Sequence, residues 1–242
     1  VTLATNSSTS MQARSAGNRR GSQPARRSRS TSAPQARSSH NATMVKEGES
    51  LRGRDGFARV LRAIRRAQDQ GLRNPSAGKA RNMGPPYAIA CEEIRKGHKS
   101  SHWIWYVWPS LSSVRSSMHP EFLLPDFKTA CAYLCDCVLA ERLLEISNLA
   151  TKHLEDGVDP AILFGRMHHC DFPKFYEAMT LFALAAHMNG NAAQEGDFLA
   201  GIRACGADCL EQNTVNAVIS EGIPGIDLAE KHLSAALAAV DS

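Results

Sequence analysis

The sequence predicts an all-α protein: a single compact multi-helix domain behind a disordered, basic N-terminal arm. Three observations carry that prediction. Apolar residues recur three or four positions apart in one segment after another. Alternating strand patterns are almost absent. The charge also splits along the chain. Residues 1–86 carry 17 lysines and arginines against 4 acids, a net of +13, whereas residues 87–242 carry 11 against 20, a net of −9. No apolar run approaches the ~20 residues that span a bilayer, so no membrane span is expected.

The arm covers residues 1–54. As far as Lys46 it holds seven arginines, one lysine and no acid, and the first carboxylate is Glu47. Serine, alanine, asparagine and glycine fill much of the rest. Such a segment cannot bury enough apolar area to offset its chain entropy. Three readings stay open for it: a solvated tail, an organelle-import leader, or a nucleic-acid contact through residues 1–66. The seven cysteines are odd in number and mostly sit in apolar helical patterns. They suggest reduced, buried thiols of an intracellular protein, cytoplasmic unless the arm redirects it.

Residues 55–85 combine a basic amphipathic helix with a Pro/Gly-rich linker. The helix runs from Asp55 to Gln70, with Phe57, Val60, Leu61 and Ile64 on one face and Arg59, Arg62, Arg65 and Arg66 on the other. Gly71 stops it. Its apolar stripe suggests packing on the domain; its arginines suggest service to the arm.

The helical domain spans residues 86–242. Tyr87, Cys91 and Ile94 form the stripe of a helix from Tyr87 to Lys96, which Gly97 is placed to end. The aromatic run 102–108 is ambiguous between a buried strand and a helix stopped by Pro109. A helix is favoured, with His102, Trp105 and Trp108 on one side, because no other segment offers a pairing strand. Residues 109–125 read as a loop. Asp126 caps a helix with Phe127, Ala130, Cys131 and Leu134 inward. A longer helix from Val138 to Glu155 buries Leu139, Leu143, Ile146, Ala150 and Leu154, and Gly157 closes it. Asp159-Pro160 opens a short turn to Phe164. Asp171 and Pro173 open a helix to Met188 that turns Phe175, Met179, Phe182 and Ala186 inward. Further helices are expected at 196–205, 210–220 and 227–240, the last through Leu228, Leu233, Leu237 and Val240.

All three tryptophans lie in Trp103-Ile104-Trp105-Tyr106-Val107-Trp108, just after Arg95-Lys96-Gly97-His98-Lys99. Ammonium groups bind phosphate, and an indole stacks on a flat ring. That segment is the candidate ligand site, with Lys99, His102, Trp103 and Trp105 as its residues. The same tryptophans would equally fill a core. His102 is the one candidate acid–base residue. No serine or cysteine has an identifiable base partner, so no nucleophile is named. His168-His169-Cys170-Asp171 and Cys131-x3-Cys135-x-Cys137 lack the paired spacing of structural zinc sites, and no metal is expected from them. Cys131 and Cys135 fit a buried stripe. Glu141 and Glu145 belong to a solvated face. The common phosphate loops are missing, and no cofactor is expected.

The segment from Tyr87 through Glu92-Glu93-Ile94-Arg95, Gly97, Lys99 and Ser101-His102-Trp103 to Pro109 resembles the signature of the domain-of-unknown-function family eighteen-ten. Bacterial genomes often label that family calpastatin, a name belonging to a disordered inhibitor that does not fit a packed domain. Ala132-Tyr133-Leu134, Val138-Leu139 and Arg142-Leu143 resemble its next block; Asp171, Lys174 and Met179-Thr180-Leu181-Phe182 resemble the one after. The resemblance covers roughly residues 86–220. It implies an all-helical domain and adds Lys174 to the candidate site, but it carries no established activity. Three positions depart from the family pattern: Ser110 replaces a glutamine, Trp108 a phenylalanine and Tyr176 an arginine. Loss of the glutamine and the arginine removes polar and cationic groups from any catalytic pocket.

Three functions follow. The first is a binding module whose aromatic and basic pocket takes a nucleotide-like or anionic small molecule. The second is an enzyme acting on such a ligand with His102 as acid or base. The third is an assembly protein that works through the basic arm.

Overall fold

The computed structural model describes residues 56–73, 82–165 and 171–239. The arm, residues 1–54, lies outside the described residues, as do Asp55, most of the linker, His168, His169, Cys170 and Val240.

Residues 56–70 form helix α1. Ile64 and Ala67 are buried on one side, and Arg59, Arg62, Arg65 and Arg66 are exposed on the other. The helix packs on the domain. Gln68 donates to the Tyr106 carbonyl at 2.7 Å, and Asp69 meets Arg142 at 2.8 Å. The linker is not wholly irregular: Leu72–Arg73 (β1) pairs antiparallel with Asn82–Gly84 (β2). Two strands this short leave no pattern of alternation for a sequence to show.

The helices then follow as α2 (Tyr87–Arg95), α3 (Ile104–Val107), α4 (Phe127–Cys135) and α5 (Cys137–Glu155). They continue as α6 (Pro160–Leu163), α7 (Phe172–Met188), α8 (Ala192–Ala204), α9 (Gln212–Ser220) and α10 (Ile226–Ala238). Caps set many of the starts. Asp126 accepts from the Thr129 amide, Asp136 from Val138 and Leu139, and Asp159 from Ala161. None of the described helices is long and apolar enough to cross a membrane.

α7 is the central element. Eleven of its seventeen residues are buried, Leu181, Ala183, Leu184 and Ala185 beyond the predicted stripe, and α4, α8, α9 and α10 pack around it. A helix apolar on nearly all sides must lie inside. α5 packs on α2 and on α8. Gly201 of α8 allows close approach, because a Cβ there would stand 2.8 Å from Met179 Sδ.

Several expectations are corrected. The aromatic run is one helical turn, so His102, Trp105 and Trp108 do not share a side: Trp108 enters the core, Trp105 is half-buried and His102 is exposed. α10 turns Ile226, Ala229, Leu233 and Leu237 inward and leaves Leu228 72% exposed, because Leu228 lies about 140° around the helix from Leu233. The described cysteines are all free, but only Cys91 is buried. Cys135 is exposed, because Asp136 separates α4 from α5 just after it.

Candidate functional site

The site is built where α2 ends. Gly97 adopts a left-handed conformation (φ 72°) that stops the helix and turns the chain back. Glu93 then gathers the returning loop. Its carboxylate accepts from the Ser100 amide (3.0 Å), the Ser101 amide (3.1 Å), the Ser101 hydroxyl (2.6 Å) and the Trp103 indole N–H (2.7 Å). Burial works against the charged form of Glu93, yet hydrogen bonds from Ser101, Trp103 and Ser100 outweigh it and hold the carboxyl below its ordinary value.

Two of the three indoles belong to the core. Trp103 is fully buried and packs against Trp108 at 5.5 Å between ring centroids. Trp108 packs edge-on to Phe175 and donates to the Ser147 hydroxyl at 2.9 Å. Trp103 therefore cannot stack on a ligand. Its contribution is indirect: the Lys99 ammonium lies over the ring, 5.1 Å from its centroid.

Asp171, read from sequence as the cap of α7, makes no capping hydrogen bond. Its backbone (φ −85°, ψ 1°) is not in the extended conformation usual for a cap. The carboxylate instead bridges two lysines. Oδ2 lies 2.8 Å from Lys99 Nζ, and Oδ1 accepts from Lys174 Nζ at 2.7 Å. The Lys99 and Asp171 side chains are under a tenth exposed, and that of Lys174 is 21% exposed. Among the described residues, Asp171 is the one polar partner of either ammonium. One turn beyond Lys174, Glu177 receives a bidentate Arg115 at 2.6 Å on both oxygens, with Ser110 alongside at 3.5 Å. These five charged groups sum to one positive charge.

The remaining sequence candidates form a separate patch. Trp105 lies against His119 at 4.6 Å, with His102 at 6.5 Å on a nearly parallel plane. The structure thus brings Lys99, Trp103 and Lys174 together around Asp171 and sets His102 and Trp105 apart from them. A groove of about 710 Å³ lies across Glu93, lined also by Ala88, Ile89, Glu92, Lys96, His98 and Ser100.

Glu93, His119 and the bridging role of Asp171 were missed by sequence reasoning. Glu93 sits in the quoted motif, and the loop of residues that it binds follows within ten positions. His119 carried no signal.

A family model described as "Protein of unknown function (DUF1810)" matches residues 78–201, just over half of the chain. The chain belongs to that family. The DUF1810 segment contains Glu93, the tryptophan run, Asp171 and Lys174, while α1, α9 and α10 lie outside it. A solved structure of a conserved hypothetical protein from Mycobacterium tuberculosis is 31% identical, covering 48% of this chain and 76% of that one, with a TM-score of 0.41. No curated protein matches.

Proposed function

We propose that this protein is a binding module for a small anionic ligand of nucleotide-like character, taken up at the lysine pair. One observation carries the reading: Lys99 and Lys174 share the single carboxylate of Asp171, which leaves the cluster an excess positive charge. Lys174 is its reachable member. A phosphate or carboxylate arriving there gains charge-assisted hydrogen bonds from an ammonium that Asp171 already orients. The positive end of α7 adds to the attraction.

The enzymatic reading has less support. His102 is exposed and has no polar partner among the described residues, so it lacks the orienting group that a catalytic imidazole needs.

The experiment is a thermal-shift series on the full chain with ATP, ADP-ribose and inorganic phosphate. At least one should raise Tm, and Lys174→Ala should abolish the rise without lowering the unliganded Tm by more than a few degrees. An equal rise in Lys174→Ala would exclude the lysine pair as the site.

A second contact is proposed for the basic stretch. Arg59, Arg62 and Arg66 stand exposed on α1, continuing the cationic sequence before it. Residues 1–66 would then bind nucleic acid through phosphates. Affinity should fall steeply as salt rises; salt-insensitive binding, or none, leaves a solvated tail or an import leader. The free thiols support an intracellular location, the cytoplasm in the absence of import.

A further inference from the structure

His187, Glu195 and His232 come together from three helices, at the opposite end of α7 from Asp171. His187 lies in the last turn of α7, Glu195 in the first turn of α8, and His232 on α10. His187 Nδ1 is 2.9 Å from Glu195 Oε2, and His232 Nε2 is 3.3 Å from Glu195 Oε1. The two imidazole centroids are 4.8 Å apart. One ligand atom from each residue lies within 4.8 Å of the others.

We propose that these three side chains bind a divalent transition-metal ion, with Zn²⁺ as its representative. Imidazole nitrogen suits zinc and its neighbours in the first transition row, whereas magnesium and calcium favour all-oxygen sets. Bonds of about 2.0–2.2 Å around a tetrahedral ion separate ligand atoms by roughly 3.3–3.5 Å. The two histidine–glutamate distances, 2.9 and 3.3 Å, run to different oxygens of Glu195, so the carboxylate meets the ion with both oxygens or turns to present one. The two imidazoles close on a shared ion through a small movement of His232, whose side chain is 58% exposed. The carbonyl end of α7 favours a cation beside His187, and the amide end of α8 favours Glu195 as the anion.

A hydrogen-bonded pair between neighbouring helices would need only one of the imidazoles. His232, although more than half exposed, turns its Nε2 to the carboxylate that His187 already engages, so both imidazoles face one anionic group. Three protein ligands leave further coordination positions open toward solvent. His187 and Glu195 fall within the family-matched segment and His232 beyond it.

The test uses the untagged chain, stripped with EDTA. It should take up one equivalent of Zn²⁺ in competition with a chromophoric chelator, with a rise in Tm because the ion ties α10 to α7 and α8. Co²⁺ should give visible bands of nitrogen and oxygen coordination without a thiolate charge-transfer band. His232→Ala and Glu195→Gln should each weaken Zn²⁺ by more than the roughly 10–100-fold that loss of a supporting partner costs. A triple Cys135→Ser, Cys137→Ser, Cys209→Ser variant should keep the site. His232 and Glu195 both lie outside the fully buried core, and Tm in EDTA reports whether each variant folds. Full Zn²⁺ retention in both variants, a thiolate band with Co²⁺, or no uptake at micromolar concentrations would overturn the proposal.

Discussion

Glu93 accepts the indole N–H of Trp103 at 2.7 Å, so a carboxylate inside α2 holds the first residue of the tryptophan run in place. The same carboxylate takes two backbone amides and a hydroxyl from Ser100 and Ser101. Removing it strands the indole N–H of a fully buried residue. Glu93→Ala should therefore cost about 1–3 kcal/mol in urea denaturation. Glu93→Gln, which keeps an acceptor oxygen, should cost less. Equal stability of Glu93→Ala and the native protein would contradict this account of the loop.

The same group predicts acid sensitivity. Glu93 has a folded-state pKa below its ordinary value, so the unfolded chain takes up its proton first as pH falls. Its contribution is complete above the unfolded pKa of about 4.3 and is lost as pH drops through the folded value. Native protein should lose stability more steeply than Glu93→Gln below about pH 4.3. Parallel stability–pH curves would show that the carboxylate carries none of that slope.

Asp171 is the common partner of two ammonium groups, one almost wholly buried. Asp171→Ala leaves both unpaired and should cost about 3–5 kcal/mol, the range for breaking a buried pair from one side. Lys99→Met removes one cation, keeps the Lys174 pair and places an apolar chain over Trp103, so it should cost much less. Chemical denaturation of the two variants checks the order, and the reverse order would remove Asp171 from the centre of the cluster.

Gly201→Ala tests close helix packing. The new methyl would stand 2.8 Å from Met179 Sδ and 3.2 Å from Thr151 Oγ1. Overpacking of this kind costs about 1–3 kcal/mol, against about 1 kcal/mol gained in helix propensity. Calorimetry should show a lower Tm. An increase would mean that α7 and α8 separate there without cost.

The described thiols should divide by reactivity. Burial pushes Cys205 up to about 12 and Cys131 up to about 11, and raises Cys91 as well. Cys135, Cys137 and Cys209 are exposed. Alkylation of native protein at pH 8, read by peptide mass spectrometry, should modify the exposed three well before the others. Early labelling of Cys205 would indicate that the C-terminal end of α8 opens readily.

Much of the helical plan was legible because its signals are local. Asp126 and Asp159 cap as their positions suggest, Gly97 and Gly157 turn left-handed, and Ile64, Leu139, Leu143 and Phe182 face inward as their spacing requires. The candidate site was legible in part. Lys99 and Lys174 do meet, but the sequence offered Trp103 as a ligand wall when its ring lies in the core. Leu228 misled because it lies five residues before Leu233, about 140° around the helix from the buried stripe, and it stands exposed.

Composition, spacing and capping residues determined by themselves that this chain is helical, where most of its helices begin and end, and which faces turn inward. Those properties follow from interactions within a few residues. Tertiary structure alone decided that Asp171 bridges two lysines instead of capping a helix, that Glu93 folds a loop onto its own helix, and that His187, Glu195 and His232 converge. The Lys99–Asp171 bridge and the approach of His232 depend on how elements distant in sequence pack around α7, whereas the Glu93 bonds stay within ten residues and depend on the path the loop takes after Gly97. That packing is chosen by the shape of the whole core, and no local pattern of residues encodes it.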